Sequence, residues 1–141
     1  MNWLFKEEPT HYSFDDLVKD GRTRWSGVKN PLAQQHLRGV RRGDRILYYH
    51  TGGEKAVVGI ARAVADAFPD PDDPSGRRAA VDITADRRLE HPVALAEIKK
   101  QKRFAKFPLV RISRLSVMPV DDREWDAILK MSGLKTSRGS A

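Results

Sequence analysis

The sequence predicts an α+β fold, a small barrel or curled sheet of about five strands with short flanking helices. Two observations support this fold class. Segments rich in β-branched and aromatic residues recur at the spacing of hairpins. The helical segments between them are short, whereas a parallel α/β sheet joins its strands through full crossover helices.

The chain of 141 residues fits one domain and shows no internal repeat. We assign residues 1–134 to this domain. The last seven residues, KTSRGSA, carry no apolar pattern, so we predict that residues 135–141 form a disordered tail.

The first predicted elements are a strand and a capped helix. Asn2 to Lys6 alternates in the manner of a strand. Ser13 and Asp16 have the spacing of a capping box, and Gly21 is a typical stop, which predicts a short helix between them.

A second helix is predicted to begin beside an unusual tryptophan. Asn30 is a good N-cap and Pro31 a good first helical residue. Trp25, in the stretch RTRWSGVKNP, is therefore expected in the connector that enters this helix. No apolar periodicity surrounds it, so its indole either lines a pocket or folds back onto the core.

Three further strands are predicted in the middle of the chain, over residues 45–51, 56–65 and 79–90. Gly59 lies inside the second of them. A glycine there indicates a β-bulge or a close backbone approach.

The C-terminal part is predicted to contain two helices and one long strand. HPVALAEIKKQ, residues 91–101, predicts a short helix, and residues 107–120 predict a long irregular strand. Asp121 as N-cap with Glu124 in capping-box spacing, and Gly133 as a stop, predict the last helix.

The composition favours a polyanionic partner but does not require one. The net charge is +7 and the pI is about 9.9, which promotes association with nucleic acid or serves solubility alone. Basic residues concentrate in KKQKRFAK, residues 99–106, whereas DAFPDPDDP, residues 66–74, is acidic. For the basic run a solvated surface is at least as good an interpretation as a phosphate contact.

Several classes of function are disfavoured. The chain has no cysteine, its four histidines show no metal-binding spacing, and no phosphate- or dinucleotide-binding glycine motif occurs, so we expect no metal, cofactor or catalytic residue. The N-terminus meets charge too early for a signal peptide, and no apolar run approaches membrane-spanning length. We therefore expect a soluble cytoplasmic protein that does not bind membranes.

Seven segments together resemble the EVE domain family. They are WLFKEEP, WSGVKNPLAQQHLR, GDRILYYHT, VVGIARAV, FPDP, VDI and PLVRISRLSVMPVDDREWDAIL, in the family's order from about Trp3 to about Leu129. The resemblance implies a PUA-like barrel, related to YTH and ASCH domains. It also implies a module that binds a modified base in nucleic acid, with modified cytosine in DNA favoured and RNA an alternative.

The resemblance also implies which residues form the site. The expected base pocket comprises Lys6, Glu8, Trp25, Gly27, Val28, Asn30, Tyr49, His50 and Thr51. Expected contacts at the rim or with phosphates are Arg24, Arg38, Arg111 and Arg114. On local evidence alone, Asn30 is a helix cap and His50 a structural hydrogen-bonding residue. Two positions depart from the family, Glu7 and Thr51, where it usually has serine.

Two other functions stay open at this point. One is an enzyme acting on a modified nucleotide or nucleic acid in the same pocket, with Glu8 or His50 as general base. The other is an interaction module for another protein.

Overall fold

A computed structural model describes residues 1–133 of the chain. The described part has seven strands: β1 Asn2–Glu7, β2 Arg22–Trp25, β3 Arg45–His50, β4 Ala56–Ala63, β5 Phe68–Pro69, β6 Ala79–Ala94 and β7 Val117–Val120. Its helices are α1 Pro9–Tyr12, α2 Phe14–Asp20, α3 Pro31–Arg38, α4 Leu95–Lys99, α5 Pro108–Arg111 and α6 Asp122–Met131, with a 3₁₀ turn at Lys102–Phe104. The predicted tail lies outside the described residues, and the domain bounds remain a prediction.

The strands form one mixed sheet in the order β2-β6-β4-β3-β1-β7, with β5 paired to β6. Only β1 and β3 run parallel among the pairs of the described sheet. The predicted α+β class is confirmed. The sheet has seven strands instead of about five and is not closed, because β2 and β7 form its two edges.

The two strands missed from the sequence are short. β5 has two residues, and β2 has four, two of them arginines. β2 nevertheless alternates as an edge strand does, since Arg22 and Arg24 are exposed, Thr23 is half-buried and Trp25 is buried. Trp25 therefore ends a strand and does not lie in a connector as expected.

Two predictions in the C-terminal part were wrong. The long strand over residues 107–120 is a helix followed by a short strand, because Pro108 starts α5 and only Val117–Val120 pairs with β1. The helix predicted over residues 91–101 is confined to Leu95–Lys99, since β6 continues to Ala94 along β4.

The predicted helix caps are confirmed. Ser13 with Asp16, and Asp121 with Glu124, form reciprocal capping boxes at the starts of α2 and α6. The side chain of Asn30 accepts a hydrogen bond from the amide of Ala33 at the start of α3. These caps satisfy amides that have no partner within the helix.

Gly59 is a point of close approach, as predicted. A Cβ built on it would lie 2.5 Å from the ring of Phe14, so α2 can pack on β4 only over a glycine. The ladder is irregular here as well, with register shifts between Tyr48 and Tyr49 of β3 and between Val57 and Gly59 of β4.

The sheet curls so that its edge strand β2 comes near β3 and β1. Trp25 of β2 packs against Phe5 of β1 and Tyr48 of β3, with ring centroids 5.2 and 5.5 Å apart, although β2 pairs with neither strand. The curl leaves an opening beside β2.

No helix of residues 1–133 is long and apolar enough to cross a bilayer.

Candidate nucleic-acid interface

A cavity of about 530 Å³ lies at this opening. Its walls come from the end of β1, from α1, from β2 and the loop that follows it, and from the residue before β7. The lining residues are Lys6, Glu7, His11, Tyr12, Thr23, Arg24, Trp25, Ser26, Gly27, Val28, Lys29 and Ser116. Cavities of about 300–1,000 Å³ are typical of sites for small molecules and cofactors.

The tryptophan that lines the cavity is held by the core. Trp25 is only 6% exposed and belongs to the hydrophobic core, yet it also lines the cavity. Beneath it, the hydroxyl of Tyr48 donates a hydrogen bond to the carbonyl oxygen of Tyr12, 2.6 Å away. Both alternatives for Trp25 are compatible with the structure, because the residue is buried in the core and also lines the cavity.

Two cations on the cavity wall are held in place. The ammonium of Lys6 donates to the carbonyl oxygen of Ser113 at 2.9 Å, and burial lowers the pKa of Lys6. Arg24 lies over the ring of Phe68 at 5.5 Å, and its Nε is 3.7 Å from an oxygen of Asp82. The cavity lining therefore includes two anchored cationic side chains besides Trp25.

Glu7 is the one carboxylate among the twelve lining residues. Its Oε1 accepts a hydrogen bond from the amide of Glu8 at 2.9 Å, and its Oε2 is 3.1 Å from Nδ1 of His11. These two contacts fix the carboxylate at the cavity wall.

The loop after β2 is anchored by a residue that the sequence analysis missed. Gln34 is 4% exposed; its amide nitrogen donates to the carbonyl oxygen of Val28 at 2.7 Å, and its amide oxygen accepts from the backbone of Ala79 at 2.8 Å. Gly27 has φ = 74°, a conformation that favours glycine. Gln34 and Gly27 together set the course of the cavity wall.

A second cavity, of about 590 Å³, lies between the 3₁₀ turn and the start of α6. Its lining residues are Lys102, Arg103, Ala105, Lys106, Asp121, Arg123 and Glu124. It contains no aromatic side chain and no residue expected in the site. Within residues 1–133, no group of three or more histidines and carboxylates is arranged to hold a metal ion.

With the fold and cavity established, comparison with known proteins decides the family. A model of the EVE domain matches residues 1–131. The chain belongs to the EVE domain family.

Relatives of this EVE domain occur in bacteria and animals. An NMR structure of a Rhodopseudomonas palustris protein is 45% identical, with a TM-score of 0.91, covering 97% of this chain and 96% of that one. Human thymocyte nuclear protein 1 is 27% identical over 164 residues, 92% of this chain and 73% of the relative.

A second solved relative carries a ligand. The crystal structure of that human protein in complex with DNA containing 5-methylcytosine has a TM-score of 0.84 and is 24% identical, covering 96% of this chain and 99% of that one. At this identity the likeness shows a shared fold.

The EVE domain brings only part of the expected site together. Lys6, Trp25, Gly27, Val28 and the rim residue Arg24 line the first cavity. The expected residues that do not line it are Glu8, Asn30, Tyr49, His50 and Thr51 and, from the rim, Arg38, Arg111 and Arg114.

Most of these other residues have structural contacts instead. Nε2 of His50 accepts from the buried amide of Phe14 at 3.0 Å, and its Nδ1 is 2.8 Å from Glu54. This agrees with the local interpretation of His50 as a hydrogen-bonding residue. Tyr49 is buried, which raises its pKa to about 12.

Three of the other lining residues were missed for identifiable reasons. Thr23 belongs to the unrecognised strand β2, and Ser116 lies in the segment wrongly assigned to a long strand. His11 lies four residues after Glu7, a spacing that allows a side-chain pair, but α1 was not predicted. Because neither β2 nor α1 was predicted, these residues could not be grouped into one site from the sequence.

Proposed function

We propose that this EVE domain binds DNA carrying a modified base, with modified cytosine favoured, and that the base enters the first cavity. The observation that carries the proposal is the cavity itself, whose lining combines a tryptophan with cationic side chains at the open edge of the sheet. The family membership and the human relative solved with 5-methylcytosine DNA support the same ligand class.

The energetics limit what the tryptophan contributes. Extruding a base from a duplex costs a few kcal/mol, and stacking on an aromatic side chain returns about 1–3 kcal/mol. Because Trp25 is so little exposed, we expect a contribution at the low end of that range. Hydrogen bonds to the base edge and contacts with phosphates therefore supply the remaining affinity.

Arginines near the cavity are suited to the phosphates. Arg24 lines it, and Arg111 and Arg114 flank Ser113, whose carbonyl accepts from Lys6. Arg38 donates to the carbonyl oxygen of Arg77 at 2.9 Å beside a smaller depression of about 200 Å³, whose lining includes Arg38, Phe68, Arg77 and Arg78. The ring of Phe68, under Arg24, connects the two sites.

The other expected pocket residues support the walls in this proposal. Glu8 and Thr51 lie side by side, their oxygens 3.5 Å apart, where β1 and β3 end. His50 holds the start of α2, and Asn30 caps α3 directly after the cavity loop.

Binding without catalysis fits this arrangement best. The two candidates for a general base, Glu8 and His50, do not line the cavity, and both ring nitrogens of His50 have partners.

We also propose a cytoplasmic location, although the human relative is named a nuclear protein.

A panel of labelled oligonucleotides tests the proposal. Fluorescence anisotropy would compare DNA and RNA of one sequence bearing cytosine, 5-methylcytosine, 5-hydroxymethylcytosine or N6-methyladenine at one position. We expect one modified DNA to bind at least about tenfold more tightly than plain DNA, which corresponds to about 1.4 kcal/mol. Equal affinity for every oligonucleotide would overturn the proposal. Tighter binding of a modified RNA than of any DNA would show that the ligand is RNA.

A further inference from the structure

The charges around the first cavity are unevenly distributed. Lys6, Arg24 and Lys29 are cationic lining residues, whereas Glu7 is the single acidic one. An ionised carboxylate only accepts hydrogen bonds, so this one side chain makes part of the wall selective for donors.

The carboxylate of Glu7 has room for a further donor. Each of its oxygens has two lone pairs, and the contacts with Glu8 and His11 use one on each oxygen. About a quarter of the side chain is exposed, 24%, so the group is partly sheltered and still accessible from the cavity.

We propose that Glu7 accepts a hydrogen bond from the exocyclic amino group of the bound base, so that the cavity selects amino-bearing bases against their oxo counterparts. This inference rests on the proposed function. It assigns a specificity-determining role to Glu7, the one carboxylate among the lining residues.

The chemistry of the bases makes the selection sharp. Cytosine presents an N4 amino donor, whereas thymine presents the O4 acceptor at the same place. 5-Methylcytosine and thymine carry the same 5-methyl group, so contact with the methyl cannot distinguish them. Opposite Glu7, thymine would bring two acceptors together with no hydrogen between them, and its O4 would be left without a donor.

A neighbouring cation completes the match to cytosine. The ammonium of Lys6 has three N–H donors, of which the carbonyl of Ser113 takes one. Lys6 lines the same cavity as Glu7, so the cavity contains a donor as well as an acceptor. A base with an amino group beside a ring-nitrogen acceptor satisfies both.

The test compares duplexes that differ only in the target base. Cytosine, 5-methylcytosine or thymine is placed opposite an abasic site, so that no base pair must be broken to extrude it. For the natural protein we expect 5-methylcytosine to bind at least about tenfold more tightly than thymine. In Glu7→Gln, whose amide also donates, we expect this ratio to approach one.

A matched variant and the remaining outcomes separate the two proposals. Glu97→Gln removes an exposed carboxylate of α4 outside the cavity, and we expect it to keep the natural ratio. Thermal unfolding would verify that both variants fold. A preserved ratio in Glu7→Gln, or equal binding of 5-methylcytosine and thymine by the natural protein, overturns the role of Glu7 while the proposed function stands. If cytosine and 5-methylcytosine bind equally and both bind more tightly than thymine, the preference for 5-methylcytosine is overturned while the role of Glu7 stands.

Discussion

The indole of Trp25 lies 5.2 Å from the ring of Phe5, centroid to centroid, although their strands are not neighbours in the sheet. This contact holds the free edge of β2 against the interior of the curled sheet. Trp25 also lines the first cavity, so one residue belongs both to the core and to the candidate site.

Truncation of Trp25 is expected to destabilise the domain strongly. Trp25→Ala empties a buried aromatic site, and we expect a loss of about 3–5 kcal/mol in the free energy of unfolding, measured with urea. Trp25→Phe keeps a ring on Phe5 and should lose less, which makes it the variant for binding studies. A loss below about 1 kcal/mol in Trp25→Ala would show that the indole is not part of the core.

A methyl group on Gly59 is expected to disturb the packing of α2 on the sheet. Gly59→Ala would place Cβ 2.5 Å from the Phe14 ring, which must then move. We expect a loss of about 1–3 kcal/mol in thermal or urea unfolding. Gly53→Ala is the control, because its Cβ would meet nothing within 4 Å, and equal losses in both variants would contradict the packing account.

The buried carboxylate of Asp44 predicts a pH dependence of stability. Burial raises the pKa of Asp44, but hydrogen bonds from the Trp3 indole at 2.9 Å and from the amide of Arg41 outweigh it, so the pKa lies below its usual value. Its stabilising contribution is therefore present above the unfolded-state pKa, about 3.9, and is lost as the pH falls through the folded-state pKa.

The Asp44→Asn variant tests this dependence. We expect it to lose about 1–3 kcal/mol at pH 7 and to lose less additional stability between pH 5 and pH 2.5 than the natural protein does. Urea unfolding across this range is the measurement. Parallel pH profiles for the two proteins would show that Asp44 does not contribute.

The salt dependence of DNA binding tests the role of Arg24. If Arg24 contacts a phosphate, Arg24→Gln should weaken binding to all DNA sequences alike and reduce the slope of log K against log salt by about 1. Arg62→Gln is the matched control, because Arg62 also pairs with an aspartate, Asp86, but lies outside the cavity. Equal slopes for Arg24→Gln and the natural protein would exclude the phosphate contact.

Sequence patterns predicted correctly the features that depend on residues close together in the chain. The capping boxes at Ser13 and Asp121 depend on residues three positions apart, and the structure has both. The predicted strand over residues 107–120 failed because α5 has only four residues, too few to show a helical period.

Only some residues of the expected base pocket line the cavity. Lys6, Trp25, Gly27 and Val28 lie on the elements that meet at the sheet opening. That opening depends on the curl of β2 toward β1, a long-range contact that no local pattern encodes. Gln34, which anchors the cavity loop through two buried hydrogen bonds, could not be found from the sequence for the same reason.

The most direct test of the account is an amide chemical-shift map of the labelled 16.0 kDa protein with two DNA duplexes, identical except for one 5-methylcytosine. We predict that the shifts that differ between the two duplexes cluster at Lys6, Glu7 and residues 23–29, which line the first cavity. Identical shifts with both duplexes, or differences confined to the basic residues 99–106, would contradict the claim that a modified base enters this cavity.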